Sequence, residues 1–543
     1  VLASIFNVEE ATILDVRNAF ETGNLTSREL TQLYLDRIAL DDKGRSNLNS
    51  IPFLNPDALN DAQRLDRLRE QGTILGPLHG IPVVVKDSFD VKGLPTTNGV
   101  AVFKSLIAQE DAFAVQQLRD AGAIILGKAN MSTWAFSYDG ISESYGEVIN
   151  PYAPGRTPGG SSSGSAVAVA ANFAMLSMGG ETGGSIRVPS THNALVGLKP
   201  SAGIIPASGT WPLVTERDVI GPMAKSVSDV AIAMDVLAAY DPNNIWNPYI
   251  PSLEDARPDT YTNFLNDTSL QGKVLGLPNP YIGKGDPDKG ESFPLDPQVA
   301  TAFEQAKQVL EAQGATLVEV DIPAHKSYFI DEDPEAYFDG LSQRNLQTRA
   351  YYYEQPIEGY DNDEIQSFVD LLDILSEDYA EYEYVKEIAD TINNGEAKPW
   401  EALPEVAAAL EAIAQLRNQE YENFMSANGI DAFVFPTLNY LAPPQGPQAD
   451  EVYATYGSLP ARFEANVLGV PGITVPMGYS KEGIPMSLEF MGNFFGEAEI
   501  IGYAYDYEQA TMFRRAPGLP IPEPTIVPAI LLLGAGVLAR KVR

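Results

Sequence analysis

The chain has 543 residues, 44% of them hydrophobic, which is enough to bury a large core. Its 73 acidic and 36 basic residues give a net charge of −37. Such a field favours solubility and repels phosphate backbones, so we expect no nucleic-acid partner. Three histidines and no cysteine leave a metal cluster almost without ligands, and we predict neither a metal nor another cofactor.

The N-terminal segment, about residues 7–40, is predicted to form helices that cover the core. Asn7 is a candidate N-cap for the first helix, and Thr26 with Glu29 has the spacing of a capping box for the second. Apolar residues recur at helical spacing after Thr26, which supports a helix there.

The segment from residue 81 to residue 220 has the pattern of a layered α/β domain. Short β-rich runs alternate in it with helical stretches and glycine turns. Within it, residues 165–174 are small and apolar on all sides, which predicts a buried helix.

A lysine stands at the end of an apolar run in the motif GIPVVVKD, residues 80–87. The run reads as a buried strand that ends at Lys86. A free lysine has a pKa of about 10.4, but burial in apolar surroundings disfavours its charged form and lowers that pKa. A neutral Lys86 could therefore act as a base near neutral pH.

Two clusters of serine and glycine follow, GGSSSG at residues 159–164 and ETGGSIR at residues 181–187. A serine hydroxyl is a weak nucleophile until a base takes its proton, and a second serine could relay that proton to a lysine. The glycines before Ser185 permit tight backbone conformations, so that successive N–H groups can converge on the oxyanion of a tetrahedral intermediate. Together these motifs indicate a hydrolytic site.

These three segments, at these separations, resemble the amidase signature family, whose catalytic device is a Ser-cisSer-Lys triad. Ser185 matches the nucleophile, Ser161 lies 24 residues before it at the position of the cis-serine, and Lys86 lies 99 residues before it at the position of the lysine. The resemblance implies a cis peptide bond before Ser161.

The same resemblance implies further site residues. The backbone N–H groups of Thr182, Gly183, Gly184 and Ser185 would form the oxyanion hole. Met131, in the motif GKANMS, would line the substrate site, and Ser162 and Arg187 would support it. For Arg187 we favour a role that braces the loop over binding of a substrate carboxylate. Glu181, where many relatives carry Asp, is expected to accept hydrogen bonds within the loop rather than to act as a general acid.

The resemblance extends from about residue 7 to 517 and includes GLKP at residues 197–200, GPMA at 221–224, FPT at 435–437 and LGVPGITVPMG at 468–478. It implies one domain over residues 1–520 with a central mixed β-sheet covered by helices on both faces. The catalytic core would span about 75–235, a variable helical segment about 331–425, and a C-terminal core part about 426–517. Residues 161–172 and the Glu-Thr pair before the glycines are similar to bacterial peptide amidases.

Three rival motifs are weaker. Ser162 is at the centre of a G-x-S-x-G pattern, but the nucleophile elbow of α/β-hydrolases follows a strand, and residues 155–159 do not read as one. Residues 122–128 resemble a P-loop but are followed by Ala129, which has no hydroxyl for magnesium, so we predict an ordinary strand with turns. His192, seven residues after Ser185, is interpreted as a packing or hydrogen-bonding residue rather than a member of a Ser-His-Asp triad.

An acidic, tyrosine-rich segment lies between residues 331 and 404. Its composition predicts helices, and two interpretations stay open. It is a solvated helical layer, since charge runs usually mark exposed faces, or it shapes access to the substrate site, as the variable region does in the family.

The C-terminus, residues 521–543, resembles a PEP-CTERM sorting signal. A proline-rich entry is followed by an apolar run at residues 526–539 and the basic end RKVR. Fourteen residues at 1.5 Å span about 21 Å, short of a hydrocarbon core of about 30 Å. We therefore expect a segment that an exosortase processes after export, with a terminal core helix as the alternative. Export needs a signal peptide, and the chain opens VLAS without methionine, so we expect its start to have been cleaved or truncated.

We therefore predict an exported bacterial enzyme that hydrolyses a carboxamide or a peptide C-terminal amide through an acyl-enzyme on Ser185. Its partners would be a small-molecule or peptide amide substrate and the processing exosortase. Two alternatives stay open. The first is the glutaminase subunit of an amidotransferase, and the second is a non-catalytic envelope protein that reuses the fold.

Overall fold

The computed structural model describes residues 6–250, 253, 255–284, 293–323, 346–357, 359–456 and 460–519. Its main feature is one sheet of eleven strands. The strands, in chain order, are β1 (Phe53–Leu54), β2 (Pro82–Lys86), β3 (Ile107–Ala108), β4 (Ile124–Ala129), β5 (Ile141–Ser142), β6 (Gly146–Glu147), β7 (Leu176–Glu181), β8 (Val196–Lys199), β9 (Val219–Ala224), β10 (Val274–Pro278), β11 (Thr316–Val320), β12 (Tyr360–Asp361), β13 (Ala432–Pro436), β14 (Gly472–Tyr479) and β15 (Pro485–Met491).

The large sheet runs in the order β1-β4-β2-β7-β9-β8-β14-β15-β13-β10-β11. The pairs β2·β4, β2·β7, β10·β11 and β10·β13 are parallel, and the other neighbours are antiparallel, so the sheet is mixed. The strands β3 with β12 and β5 with β6 form two small separate ribbons. Because β14, β15 and β13 continue the sheet begun by β4, β2 and β7, the N-terminal and C-terminal parts of the core share one sheet.

Helices precede, separate and follow the strands along the chain. They are α1 (Ile13–Glu21), α2 (Ser27–Arg37), α3 (Ala58–Glu70), α4 (Phe113–Asp120), α5 (Ser163–Ala170), α6 (Arg187–His192), α7 (Val227–Leu237), α8 (Pro297–Ala312), α9 (346–357), α10 (Leu371–Ile374), α11 (Tyr382–Asn393), α12 (Pro404–Leu416), α13 (Asn423–Asn428), α14 (Gln448–Tyr456), α15 (Pro460–Val467) and α16 (Glu497–Thr511).

The side chains of β9 show that helices cover both faces. Alternate residues of a strand point to opposite faces. Met223 packs in a small cluster with α5, whereas its neighbour Ala224 belongs to the large core cluster that contains the apolar residues of α7. The predicted α/β fold, a mixed sheet with helices on both faces, is confirmed.

Local predictions can be compared with these elements. The capping box at Thr26 and Glu29 is present and α2 follows it. The first cap was predicted wrongly, because α1 begins at Ile13 and its N-cap is Thr12, which forms a capping box with Asp15. Asn7 instead accepts a hydrogen bond from Glu9 N at 3.1 Å. The small-residue helix α5 is entirely buried, as predicted.

The tyrosine-rich segment contributes its own core. Tyr353 of α9 is fully buried and stacks on Trp134, with ring centroids 5.9 Å apart and planes 9° apart. Trp211 and Phe368 belong to the same buried cluster. Several aromatic residues of this segment therefore face inward, while the part of it from 331 to 345 lies outside the described residues.

The described part of the chain contains no helix that combines the length and the apolar character needed to cross a membrane. The C-terminal segment 521–543 lies outside the described residues.

Candidate active site

Lys86 is the last residue of β2, a strand whose five residues are all buried. Its side chain is only 3% exposed, and its Nζ donates a hydrogen bond of 2.7 Å to Ser161 Oγ and one of 3.2 Å to the Gly180 carbonyl. Burial lowers the pKa of Lys86 to about 7, even though the carboxylates of Asp218 and Glu181 act in the opposite direction. The amine is thus substantially neutral near pH 7, as the apolar run preceding it predicts.

The loop that carries Ser161 and Ser162 leads into α5. The peptide bond between Gly160 and Ser161 is cis. Ser162 Oγ donates to the Gly180 carbonyl at 3.1 Å and accepts from Gly180 N at 3.2 Å. The loop and the lysine therefore meet at the same residue near the end of β7. Close packing of α5 requires a glycine at position 164, because a Cβ there would overlap the Ser50 carbonyl oxygen.

Ser185 lies in the turn between β7, which ends at Glu181, and α6, which begins at Arg187. The turn contains Gly184 with a φ of +114°, a value that side-chain-bearing residues rarely adopt. Ser185 is 6% exposed. The turn therefore has the glycine-dependent backbone that an oxyanion hole formed by N–H groups needs.

Two hydrogen bonds outside the sequence motif hold this turn. Tyr138 donates its hydroxyl to the Gly183 carbonyl at 2.5 Å. The Thr182 hydroxyl donates to the carboxylate of Asp218, and the second oxygen of that carboxylate accepts from Leu213 N at 2.6 Å and Val214 N at 2.9 Å. Asp218 thereby joins the turn to the wall of a cavity.

A buried ionic cluster lies behind the turn. Glu181 Oε2 accepts the backbone N–H groups of Ile186 at 2.9 Å and Arg187 at 3.1 Å. The Arg187 guanidinium donates to Glu181 Oε1 at 2.9 Å from Nε and 2.6 Å from Nη2, to Glu489 Oε1 at 2.5 Å, and to Asn466 Oδ1 at 2.9 Å. These contacts fit a bracing role for both Glu181 and Arg187.

The ionisation of the cluster follows from its contacts. Burial raises the pKa of Glu181, but the Arg187 guanidinium, the Ile186 backbone N–H group and Lys199 together outweigh burial and hold that pKa below its usual value. Burial lowers the pKa of Arg187, yet the carboxylates of Glu181 and Glu489 raise it overall. For Glu489 burial is the larger influence, and it raises the pKa of that carboxyl to about 7. The arginine and Glu181 thus form a permanent ion pair beneath Ser185.

A cavity of about 970 Å³ opens beside Lys86, a size that suits a small organic ligand. Its wall includes Lys86, Gly180, Thr182 and Asp218, and residues of the tyrosine-rich segment around Tyr352. Met131 follows β4 and is fully buried. Met131, Ser161 and Ser185 are not among the residues that line this cavity. The expected role of Met131 in lining the substrate site and the expected roles of the two serines in the reaction therefore stay predictions.

The site contains residues that the sequence motifs did not indicate. Tyr138, Asp218 and Glu489 all contact the Ser185 turn or its brace, and Glu489 lies 302 residues from Arg187. The sheet order β7-β9-β8-β14-β15 brings Asp218 and Glu489 towards the turn that follows β7. The position of Asp218 one residue before the buried strand β9 was the one local signal available.

Within the described residues, no group of three or more histidine, cysteine, aspartate or glutamate side chains is arranged to hold a metal ion. His192 is buried in α6, consistent with a packing or hydrogen-bonding role. Residues 124–129 form the ordinary strand β4, as predicted in preference to a P-loop.

Comparisons with known proteins agree with this architecture. The family model described as Amidase matches residues 29–501. A protein of Arabidopsis thaliana named as a probable amidase is 34% identical over 95% of this chain and 93% of its own length. A glutamyl-tRNA(Gln) amidotransferase subunit of Koribacter versatilis is 31% identical over 93% of this chain and 99% of its own length. The crystal structure of peptide amidase from Stenotrophomonas maltophilia superposes with a TM-score of 0.75 at 33% identity, covering 94% of this chain and 98% of that one.

The chain belongs to the amidase family. It is a hydrolase that acts on carbon–nitrogen amide bonds.

Proposed function

We propose that the enzyme hydrolyses a carboxamide or a peptide C-terminal amide to a carboxylate and ammonia or an amine. Ser185 attacks the carbonyl carbon, and its proton passes through Ser161 to neutral Lys86. The backbone N–H groups of residues 182–185 stabilise the oxyanion. The proton returns to the departing nitrogen, and water then hydrolyses the acyl-enzyme by the same route.

The observation that carries this proposal is the contact of 2.7 Å between Lys86 Nζ and Ser161 Oγ. A base must lie within hydrogen-bonding reach of the proton it takes, and its pKa is best matched to the working pH. Lys86 meets both requirements, since burial lowers its pKa to about 7. The superposition on a peptide amidase supports the choice of substrate class.

A panel of amides tests the proposal. Ammonia release is measured from free amino-acid amides, peptide amides, aromatic amides and glutamine with the full chain, with Ser185→Ala, and with Ser105→Ala. Ser105 is an exposed residue on the surface and serves as the matched control. We expect turnover of at least one carboxamide by the unaltered chain and Ser105→Ala, and its loss in Ser185→Ala.

Turnover that survives in a folded Ser185→Ala protein would contradict the assignment of the nucleophile. A covalent adduct provides a second readout, because a slow ester or activated amide should leave its acyl group on residues 181–187 in an intact-mass and peptide-mapping experiment. An adduct on Ser162 instead would favour the rival nucleophile.

The second candidate is a glutaminase that delivers ammonia to a partner protein. The similarity to an amidotransferase subunit over 93% of the chain favours it. The same panel separates the two functions, because release from glutamine alone, together with a copurifying partner, would favour the amidotransferase.

The C-terminal segment supports a proposal about location. Residues 521–543 have the proline-rich entry, apolar run and basic end of a sorting signal, so we infer an exported, envelope-associated or extracellular enzyme whose tail is processed by an exosortase. Intact-mass measurement of the protein from its native source tests this, since an uncut tail in the cytoplasmic fraction would contradict it.

A further inference from the structure

The cavity beside Lys86 has an uneven distribution of charge. Among the described residues that line it, the cationic side chains are Lys86, whose pKa burial lowers to about 7, and Lys92, which is exposed at the surface. The carboxylates outnumber them. They are Asp90, Glu110, Asp111, Glu181, Asp218 and Asp241.

Two of these carboxylates are neutralised locally by arginines. Arg119 Nε forms an ion pair with Asp111 Oδ2 at 2.9 Å. Arg187 Nη2 forms an ion pair with Glu181 Oε1 at 2.6 Å. Their charges therefore contribute little to the cavity.

Three others are held by neutral donors. Asp90 Oδ1 accepts from the Tyr360 hydroxyl at 2.7 Å. Asp241 accepts from the Ser208 hydroxyl at 2.6 Å and from Asn243 N at 2.8 Å. Asp218 accepts from the Thr182 hydroxyl and two backbone N–H groups. Hydrogen bonds from neutral donors do not cancel the charge of an ionised carboxylate. Burial raises the pKa of Asp90 to about 6 and also raises the pKa of Asp218, so Asp90 is still ionised near pH 7. The excess of carboxylates over cationic side chains then gives the cavity a negative potential.

The backbone of Asp90 and the carboxylate of Asp241 are attached to the same turn. Asp90 N donates a hydrogen bond to the Gly209 carbonyl at 3.0 Å. The Asp241 carboxylate accepts a hydrogen bond of 2.6 Å from the hydroxyl of Ser208, the residue before Gly209. Asp90 is also only four residues after Lys86. Both aspartates therefore line the cavity that opens beside Lys86.

Aromatic rings complete the cavity wall. Trp211, Trp246 and Tyr352 all line it. A cation over an aromatic face is attracted by the negative charge of the ring, so these rings are compatible with a cationic ligand. The excess of carboxylates disfavours an anionic ligand.

We propose that the amide substrate carries a positive charge on its acyl part, and that Asp90 and Asp241 select it. This inference rests on the proposed amidase function. The charge could come from a guanidinium or ammonium side chain or from a free α-ammonium group, which share the same chemistry at the carboxylates. Asp90 and Asp241 act on specificity and take no part in the proton transfers.

Matched pairs of substrates test the inference. The value of kcat/KM is compared for N-acetyl-argininamide and N-acetyl-citrullinamide, which differ in side-chain charge at almost constant shape, and for alaninamide and N-acetyl-alaninamide, which differ in the α-ammonium group. A unit charge about 10 Å from a carboxylate, at an effective dielectric constant of about 20, favours binding by roughly tenfold. We expect a preference of that size for the charged member of at least one pair.

Charge-removing variants locate the effect. Asp90→Asn and Asp241→Asn should each reduce the preference by about three- to tenfold, while the neutral substrate keeps its kcat/KM. Glu70→Gln removes the charge of an exposed carboxylate on α3 and should change nothing. If one of the aspartate variants fails to fold, the other variant and the fall of the preference in 0.5 M salt, expected from screening, provide the same test.

The outcomes separate the two proposals. Equal or lower kcat/KM for the charged member of both pairs, in an enzyme that turns amides over with Ser185, would overturn the charge preference alone. Absence of Ser185-dependent turnover from every amide would overturn the proposed function and this inference with it.

Discussion

Two buried lysines, Lys86 and Lys199, lie at the ends of strands β2 and β8 and have similar pKa values. Burial lowers the pKa of each to about 7. Their partners differ. Lys86 Nζ donates to the hydroxyl of Ser161 at 2.7 Å, whereas Lys199 Nζ donates to the carbonyls of Pro200 at 2.9 Å and Val470 at 2.6 Å.

This comparison shows why a lowered pKa does not by itself define a base. A carbonyl oxygen only accepts a hydrogen bond, while a hydroxyl both donates and accepts. Of the two lysines, only Lys86 therefore has a partner from which it can take a proton. Lys86 also lines the cavity, and Lys199 does not. We therefore assign a catalytic role to the first lysine and a structural role to the second, and three predictions examine that assignment.

The largest effect is expected from Lys86→Met, which keeps the length of the side chain and removes the amine. General-base catalysis contributes about 100- to 10,000-fold to rate, and we expect kcat to fall by that factor on any amide that the enzyme hydrolyses. The thermal midpoint, measured by circular dichroism, should show a folded protein. If the kcat of Lys86→Met stays within about tenfold of that of the unaltered enzyme, the catalytic role assigned to Lys86 and not to Lys199 is wrong.

The pH profile should sharpen the comparison. The base form of Lys86 is neutral, so activity should be present above its pKa of about 7 and lost below it. We expect kcat/KM, measured from pH 5 to 9, to fall about tenfold for each pH unit on the acid side. Lys199→Met should keep this acid limb, although the pKa of Lys199 is also lowered to about 7 by burial. If the acid limb disappears in Lys199→Met, the titrating group is Lys199 and not Lys86.

The smallest effect on rate is expected from Lys199→Met itself. It leaves two buried carbonyls without their donor, and each unpaired buried group costs about 1–3 kcal/mol. We expect a lower free energy of unfolding in urea and an almost unchanged kcat per folded molecule. A variant that retains full stability but loses kcat would show that both lysines serve the reaction.

Much of the site could be predicted from local sequence. The apolar run before Lys86 predicts a buried strand, and burial explains the lowered pKa of the lysine. The glycines before Ser185 predict the turn in which Gly184 has a positive φ. These features depend on neighbouring residues, which a single sequence displays directly.

The remainder depends on contacts between distant segments. The brace formed by Arg187 with Glu489 crosses from α6 to β15, and no short-range pattern indicates that pair. Tyr138 reaches the Ser185 turn from a loop after β4. The error at the first helix has a local cause, since both Asn7 and Thr12 are good caps with an acidic residue three positions later, Glu10 and Asp15. Only Thr12 is a hydroxyl residue of the kind that forms a capping box.

The Gly180 carbonyl accepts hydrogen bonds from both Lys86 and Ser162. A single peptide group thus serves as the common reference point from which the base and the serine loop are placed. Thermal displacement of β7 would move both groups in the same direction and by a similar amount, so their separation changes less than the position of either one. The outer helices and the cavity wall can consequently vary in sequence and mobility while the alignment of the reacting groups is preserved.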